Sequence, residues 1–233
     1  MKVALLGDIH GNHLALAAVL AAARKQGAER LLVTGDLVGY YFWPREVLEL
    51  LKPWDMAVVR GNHEDMLAAA RKQPDLLGQV DKQYGTGLRV ALETLSSRQL
   101  DWLENLRHPQ NIEIDGCRIL LCHGSPWDVD IYIYPDAEST LLEKCADTGH
   151  DWIDLGHTHY PMEHRVGNTT IVNPGSVGQP RNRKPGAHWA LLNTQSRKLS
   201  FMSEYYDIAP VIEMSRARHP NIPYLSDVLQ RRR

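Results

Sequence analysis

Lys2-Val3-Ala4-Leu5-Leu6-Gly7-Asp8-Ile9-His10-Gly11-Asn12 is the stretch from which the fold can be read. Lys2–Leu6 is a short apolar run that turns polar at Asp8, so it reads as a buried strand rather than a leader segment. Working outward, residues 12–25 place Leu14, Ala17, Ala18, Ala21 and Ala22 at helical spacing, with Gly27 as the stop. Leu31–Thr34 is a second strand. Pro44–Leu51 is a helix with proline in its first turn, ending near Pro53. Met56–Val59 is a third strand. This β-α-β-α-β order implies parallel strands with helices on their faces.

The middle of the chain is helical over Glu64–Lys72 and roughly Gly87–Leu95. Ser96-x-x-Gln99 then forms a capping-box signature for a helix reaching about Arg107. Strands return at Ile112–Ile114 and Arg118–Cys122, flanking the hairpin signal Asp115-Gly116. A helix near Ala137–Ala146 leads to the strand Trp152–Leu155. Thr170–Val172 and a hairpin of Trp189–Asn193 with Leu199–Ser203 follow. Repeats, low-complexity segments and linkers are not seen. The expectation is one α/β domain over residues 1–233, with two sheets, flanking helices and a helical tail at about 206–233 broken by Pro220 and Pro223.

Composition narrows the function classes. The 233 residues are 43% hydrophobic and 23% charged, and the formal charge is −2. A long basic groove for a nucleic-acid polymer is not expected from such a balance. The one basic cluster, Arg231-Arg232-Arg233, reads as a solvated tail. No apolar run is long enough to span a bilayer. The three cysteines, Cys117, Cys122 and Cys145, give no disulfide framework, so a reducing cytoplasm is the expected setting.

Five polar signatures directly follow strands: Gly7-Asp8-Ile9-His10-Gly11-Asn12, Gly35-Asp36, Gly61-Asn62-His63-Glu64, His123-Gly124 and Gly156-His157-Thr158-His159. Ligand sites of open α/β sheets lie beyond the carboxyl ends of strands, so all five are expected in one crevice. Asp8 and His10, two apart in what reads as an extended segment, should point the same way, and His157 and His159 repeat the spacing. Asp36 can bridge two ions through its two oxygens, Asn62 offers a carbonyl oxygen and His123 an imidazole. Each signature alone has an ordinary structural reading as a helix cap or turn. Together, and in this order, they point to a metal pair.

Mixed imidazole, carboxylate and carbonyl donors favour manganese, iron, zinc, cobalt or nickel over calcium or magnesium. Two divalent ions against two anionic ligands leave a net positive site, suited to an anionic substrate. Paired ions roughly 3.5–4 Å apart are a known clamp for in-line attack on phosphorus. His13, His108, His150, His164, His188 and His219 lack such a context and read as ordinary surface or core residues.

These signatures resemble the calcineurin-like metallophosphoesterases, and among them small prokaryotic phosphodiesterase-like members. Such members also carry segments like Asp36-Leu37-Val38-Gly39-Tyr40, His123-Gly124-Ser125-Pro126 and Asn173-Pro174-Gly175-Ser176-Val177-Gly178-Gln179-Pro180-Arg181. The resemblance covers residues 1–205 and implies a four-layer α-β-β-α sandwich. It implies two divalent transition-metal ions, manganese foremost. Asp8, His10, Asp36 and His159 would hold the first, and Asp36, Asn62, His123 and His157 the second. It further implies that a metal-bound hydroxide attacks phosphorus and that His63 contacts the phosphate and assists the leaving group. Arg181, Asn12 and Tyr40 are the expected substrate contacts.

Gly39-Tyr40 stands where protein phosphatases of this superfamily carry Asp-Arg, which disfavours a phosphoprotein substrate. Gly39 also stands where purple acid phosphatases carry a tyrosine ligand, which disfavours a tyrosinate-iron site. Trp43 and Trp127, with Tyr41, Phe42, Tyr132, Tyr134 and Tyr160, are candidates for an aromatic rim around the site. The alternative reading is that they pack an interface or cover a loop. The leading expectation is a phosphodiesterase on a small organic phosphate, a nucleotide among the candidates, with neither a stable nucleic-acid complex nor a membrane. A dinucleoside-polyphosphate hydrolase or nucleotidase is the alternative enzyme. A scaffold on the same fold is the non-enzyme alternative, disfavoured because every metal position and His63 are filled.

Overall fold

The computed structural model describes residues 1–231. The chain runs β1 (Lys2–Leu6), α1 (His13–Gln26), β2 (Arg30–Val33), α2 (Pro44–Leu51), β3 (Met56–Val58), α3 (Asn62–Lys72) and a 3-10 turn (Pro74–Leu76). It continues through α4 (Leu77–Tyr84), α5 (Gly87–Thr94), α6 (Ser97–Glu104), β4 (Gln110–Ile114), β5 (Cys117–Leu121), α7 (Ser139–Ala146), β6 (Trp152–Asp154) and β7 (Met162–Val166). It closes with β8 (Thr169–Asn173), β9 (Ala187–Asn193), β10 (Lys198–Glu204), α8 (Ala209–Arg218) and α9 (Tyr224–Gln230).

The strands form two mixed five-stranded sheets, in the orders β10-β9-β1-β2-β3 and β4-β5-β6-β8-β7. β1, β2 and β3 are parallel, as are β5, β6 and β8, and the antiparallel strands lie to their outer sides. Three apolar clusters fill the spaces between four layers. Ala4, Leu6, Leu31 and Val33 of the first sheet pack against Leu16, Val19 and Leu20 of α1 and against Val211 and Leu225 of the C-terminal helices. Val3, Leu5 and Leu32 face Ile119, Leu121 and Val172 between the two sheets. Leu120, Ile153 and Ile171 face Leu142 and Cys145 of α7. Strand side chains alternate between faces, and in β1 both faces are covered, hence its continuous apolar run. The four-layer α-β-β-α sandwich follows from these three cores.

Local chemistry sets the helix ends. The Asn12 side chain accepts the Ala15 N–H to cap α1, and Gly27 closes it at φ 76 in the left-handed region. Pro44 begins α2, and Ser96 with Gln99 forms the expected capping box of α6. Two elements went unread in the sequence. In α4 only Leu77 is buried, so it carries almost no apolar stripe. β7, Met-Glu-His-Arg-Val, is an edge strand whose polar residues hide its pairing with β8. The segment expected as a helical tail is two helices whose Val211, Leu225, Val228 and Leu229 are core residues. Arg231 places its guanidinium over the Tyr224 ring, and the rest of the basic cluster lies outside the described residues. Among the described residues, no helix is long and apolar enough to cross a membrane.

Candidate metal centre

The five signatures leave the carboxyl ends of β1, β2, β3, β5 and β6, so the site straddles both sheets. Backbone bonds clamp the loops together. Asp8 N–H donates to Gly35 O, His10 N–H to Asp36 O, and Gly11 N–H to Leu37 O. Across the sheets, His157 N–H donates to Asp8 Oδ1 at 3.0 Å, and the His123 ring reaches Thr34 O at 2.6 Å.

The extended geometry expected for the two Asp/His-x-His pairs does not occur. Asp8 and His10 have φ of 53 and 50, and His157 and His159 have φ of 66 and 64. Asp36 and Tyr40 join them at 53 and 49. The chain turns sharply as it leaves each strand, in a region that costs a non-glycine residue roughly 1–2 kcal/mol. The side chains nevertheless converge.

His10 Nε2 lies 3.1 Å from His159 Nε2, and His159 Nε2 lies 3.5 Å from Asp8 Oδ1. His123 Nε2 lies 3.0 Å from Asn62 Oδ1. Between these groups, Asp36 Oδ2 is 3.6 Å from His10 Nε2 and 3.4 Å from His123 Nε2. Asp8–His10–His159 and Asp36–His123–His157 are each close enough to hold an ion, and His10–Asp36–His63 is a third such grouping. All these residues are buried, and Asp8 Oδ2 has no hydrogen-bond partner. A buried carboxylate oxygen left without a donor is costly unless a cation faces it, so the residues present fit a metal centre.

The imidazoles are held in register from behind. His10, His123 and His159 each direct Nδ1 at a backbone carbonyl, of Val38, Thr34 and Gln179 at 3.2, 2.6 and 2.6 Å. A carbonyl only accepts, so Nδ1 carries a proton and Nε2 is the ring atom turned to the site. His157 is reversed: its Nε2 faces Asp130 O at 3.3 Å, leaving Nδ1 as the free donor atom.

Burial raises the Asp8 pKa to about 7 and holds His10 and His159 well below the ordinary imidazole value. Burial and then the charge of His123 push His157 down to about 3. Burial alone would raise Asp36, but His123, His63 and His10 hold its carboxyl well below the usual range. For His123 burial opposes the charged form, and Asp36 overrides it, raising the imidazole to about 10. Without an ion, Asp36 and His123 are thus a charged pair, and the other histidines are neutral and ready to bind.

A small cleft opens above the centre, lined by Asp36, Tyr40, Asn62, His63, Tyr84, Tyr132, His157, His159 and Arg181. His63 packs among His10, Tyr40 and Tyr84 at ring-centroid distances of 4.6, 4.9 and 5.4 Å, and its Nδ1 has no partner. Gly39 allows this, because a Cβ there would overlap the His63 ring. Arg181 donates to Tyr40 Oη and Gln179 Oε1, both at 3.2 Å, and its Nε is unpaired.

Asn12 does not join the cleft as expected. Its amide donates to Gly178 O and Tyr206 Oη while its oxygen caps α1, so every polar atom is engaged inside the fold.

The aromatic rim divides in the same way. Tyr41 is fully buried with its hydroxyl on Leu225 O, Phe42 stacks on His219, and Trp43 packs on His13. Trp127 lies under the Lys144 ammonium of α7, 3.8 Å from its centroid. Tyr132 does reach the site, 3.9 Å from His157, and stacks outward on Tyr134, which Tyr160 meets edge-on.

Two contributors were missed in the sequence. Tyr84 lines the cleft from the unread α4. Glu64 closes the third signature. Its carboxylate is buried and accepts N–H groups from Gly61, Asp36, Leu37 and Val38, tying the second loop to the third. Four inward-facing donors around one acidic side chain were not legible before the loops were placed.

The family model of the calcineurin-like phosphoesterase superfamily domain matches residues 1–197. The chain belongs to that superfamily. Phosphodiesterase YfcE of Escherichia coli K12 is 26% identical over 194 residues, covering 83% of this chain and 88% of YfcE. An uncharacterized protein of Methanocaldococcus jannaschii is 27% identical over 228 residues, covering 91% and 90% of the two chains. The crystal structure of a metallophosphoesterase from Sphaerobacter thermophilus superposes with a TM-score of 0.79 at 25% identity, covering 99% of each chain.

Proposed function

We propose that the chain is a dinuclear metal-dependent phosphoester hydrolase acting, as a phosphodiesterase, on a small organic phosphate. The observation that carries this reading is the position of Asp36. One of its oxygens sits between His10 and His123, as a carboxylate shared by two ions would. Asp8, His10, Asp36 and His159 would hold the first ion, and Asp36, Asn62, His123 and His157 the second. Manganese heads the candidates, with iron, zinc, nickel and cobalt behind it. Bound ions would supply Lewis acidity and an activated water.

The chain's own residues do the rest. Arg181, held by Tyr40 and Gln179, presents a guanidinium whose planar fork matches phosphate oxygens. Its positive charge already bears on Asp8, His10, His63 and His159. His63 lines the cleft beside the ligands and provides the proton for the departing oxygen, which requires the phosphate to raise its burial-depressed pKa. Tyr40 braces both, with its hydroxyl on Arg181 and its ring against His63.

Tyr132 favours a second reading, in which the substrate carries a nucleobase. Its ring is 47% exposed beside the cleft and stacks nearly parallel on Tyr134, with 10° between the planes, a flat platform next to His157. A dinucleoside-polyphosphate hydrolase or nucleotidase would use such a platform.

The test is hydrolysis of bis-p-nitrophenyl phosphate with each metal, with and without chelator, beside monoesters and dinucleoside polyphosphates. Chelator-sensitive turnover is expected, and none with any metal would overturn the reading. His63→Ala should lower turnover while two ions still bind. Tyr132→Ala should raise KM for nucleotides and leave that for a small alkyl phosphodiester unchanged.

A further inference from the structure

Of the four strands that end the two sheets, β10 is unlike the other three. β3 has three residues, and the Gln110 side chain donates to Val58 O along it. β4 carries Glu113, and β7 carries Glu163 and Arg165 within five residues each. Short length and charge are how edges avoid pairing with other chains. β10 has seven residues, Lys-Leu-Ser-Phe-Met-Ser-Glu, and no charge, proline or glycine between its first and last. It pairs with β9 on one side over all seven positions, and among the described residues no strand pairs with its other side. Phe201 at its centre is 41% exposed and lines a groove with Pro161, Met162 and Glu163 of the other sheet's edge. Tyr205, just beyond its end, is 89% exposed.

The sequence of this edge is complementary to itself. Laid antiparallel on a second copy about a twofold axis at Phe201, Lys198 falls opposite the partner's Glu204, and Glu204 opposite the partner's Lys198. Phe201 meets the partner's Phe201, and Leu199 and Met202 meet serines. Directly opposed residues share a face of the sheet, so both charge pairs form. Glu204 accepts Trp189 Nε1–H on Oε1 at 3.0 Å, which leaves Oε2 for the lysine. A register slip of one or two residues in either direction loses both pairs.

We propose that β10 is a homodimer edge, joining the first sheets of two copies into one continuous sheet through an isologous Lys198–Glu204 register. The metal centre lies at the carboxyl ends of the central strands and contributes nothing to this surface, so the inference is independent of the catalytic reading.

Sedimentation velocity across a concentration series tests it, with circular dichroism to check folding and turnover as a control. The wild-type chain should sediment as a dimer, and Phe201→Lys as a monomer of unchanged activity. Lys198→Glu should weaken the dimer at least about tenfold by setting like charges opposite each other, and Lys198→Glu with Glu204→Lys should restore it. Phe201→Cys should form a covalent dimer on mild oxidation, since the native cysteines are all buried. A wild-type monomer at every concentration overturns the proposal. So does a dimer that Phe201→Lys leaves intact and Phe201→Cys does not cross-link. If Phe201→Lys is unfolded, the charge-swap pair decides: no rescue in the double variant overturns the register.

Discussion

Replacing Gly39 by alanine should disable the site without emptying it. Gly39 sits at φ 90, and a Cβ built on it would lie 2.9 Å from Cε1 and 3.0 Å from Cγ of His63, nearer still to Nδ1. Carbon–nitrogen contacts relax at about 3.5 Å, so the ring must retreat by about 1 Å or more. His10, Tyr40 and Tyr84 hem it in, which leaves rotation away from its present place as the escape. A misplacement of that size costs roughly a hundredfold in kcat where the group acts in the chemical step. The left-handed backbone adds about 1–2 kcal/mol of destabilisation. The assay is kcat and KM for bis-p-nitrophenyl phosphate at saturating Mn²⁺, with metal stoichiometry by calorimetry and stability by urea unfolding. Two bound ions, a large fall in kcat and no further loss on a His63→Ala background are expected. A destabilised variant that keeps kcat within about twofold would refute the reasoning, because the position of His63 would then not limit the rate.

Three further outcomes follow from the buried ionisable groups. Asp154 is fully buried between the sheets, and neither of its oxygens has a partner. Burial holds its pKa far above the ordinary value, so the native state keeps a proton that the unfolded chain releases above about pH 4. Stability should therefore fall as pH rises, by up to about 1.4 kcal/mol per unit, and Asp154→Asn should gain on wild type across roughly pH 5 to 8. Parallel urea-unfolding profiles would show that this carboxyl does not titrate as inferred. Metal binding should release protons, since an ion must displace the one Asp36 keeps on His123, with a further fraction from Asp8 near pH 7. Affinity for the ion pair should rise at least about tenfold per pH unit between roughly pH 6 and 8, and more steeply below pH 7 where Asp8 also gives up a proton, read by calorimetry in buffers of different ionisation heat. Glu64→Gln replaces one of the two accepting oxygens with an amide donor, sets it against two of the four backbone N–H groups, and should cost about 2–4 kcal/mol in urea unfolding.

Much of this was legible because two kinds of signal coincided. Apolar runs buried on both faces, such as Leu31–Val33, announced parallel strands, and the polar residues directly after them announced where the strands open. That fixed which loops meet, and the structure brings Asp8, His10, Asp36, Asn62, His63, His123, His157 and His159 together. What stayed hidden depended on tertiary placement. α4 has too little apolar surface to read as a helix, so Tyr84 went unnoticed. Tyr41, Phe42 and Trp43 follow a site residue in sequence, yet the turn at Tyr40 sends them into the core. Asn12 stands in the first signature, but it caps a helix and bonds to Gly178 and Tyr206.

The left-handed residues bear on the stability of the fold. Asp8, His10, Asp36, Tyr40, His157 and His159 each hold a backbone shape that glycine would adopt more readily. Each gives up roughly 1–2 kcal/mol of backbone stability that a glycine would not. All six lie in the loops that leave β1, β2 and β6. Their side chains converge on one centre, so these turns are where the fold gives up stability to place polar groups together.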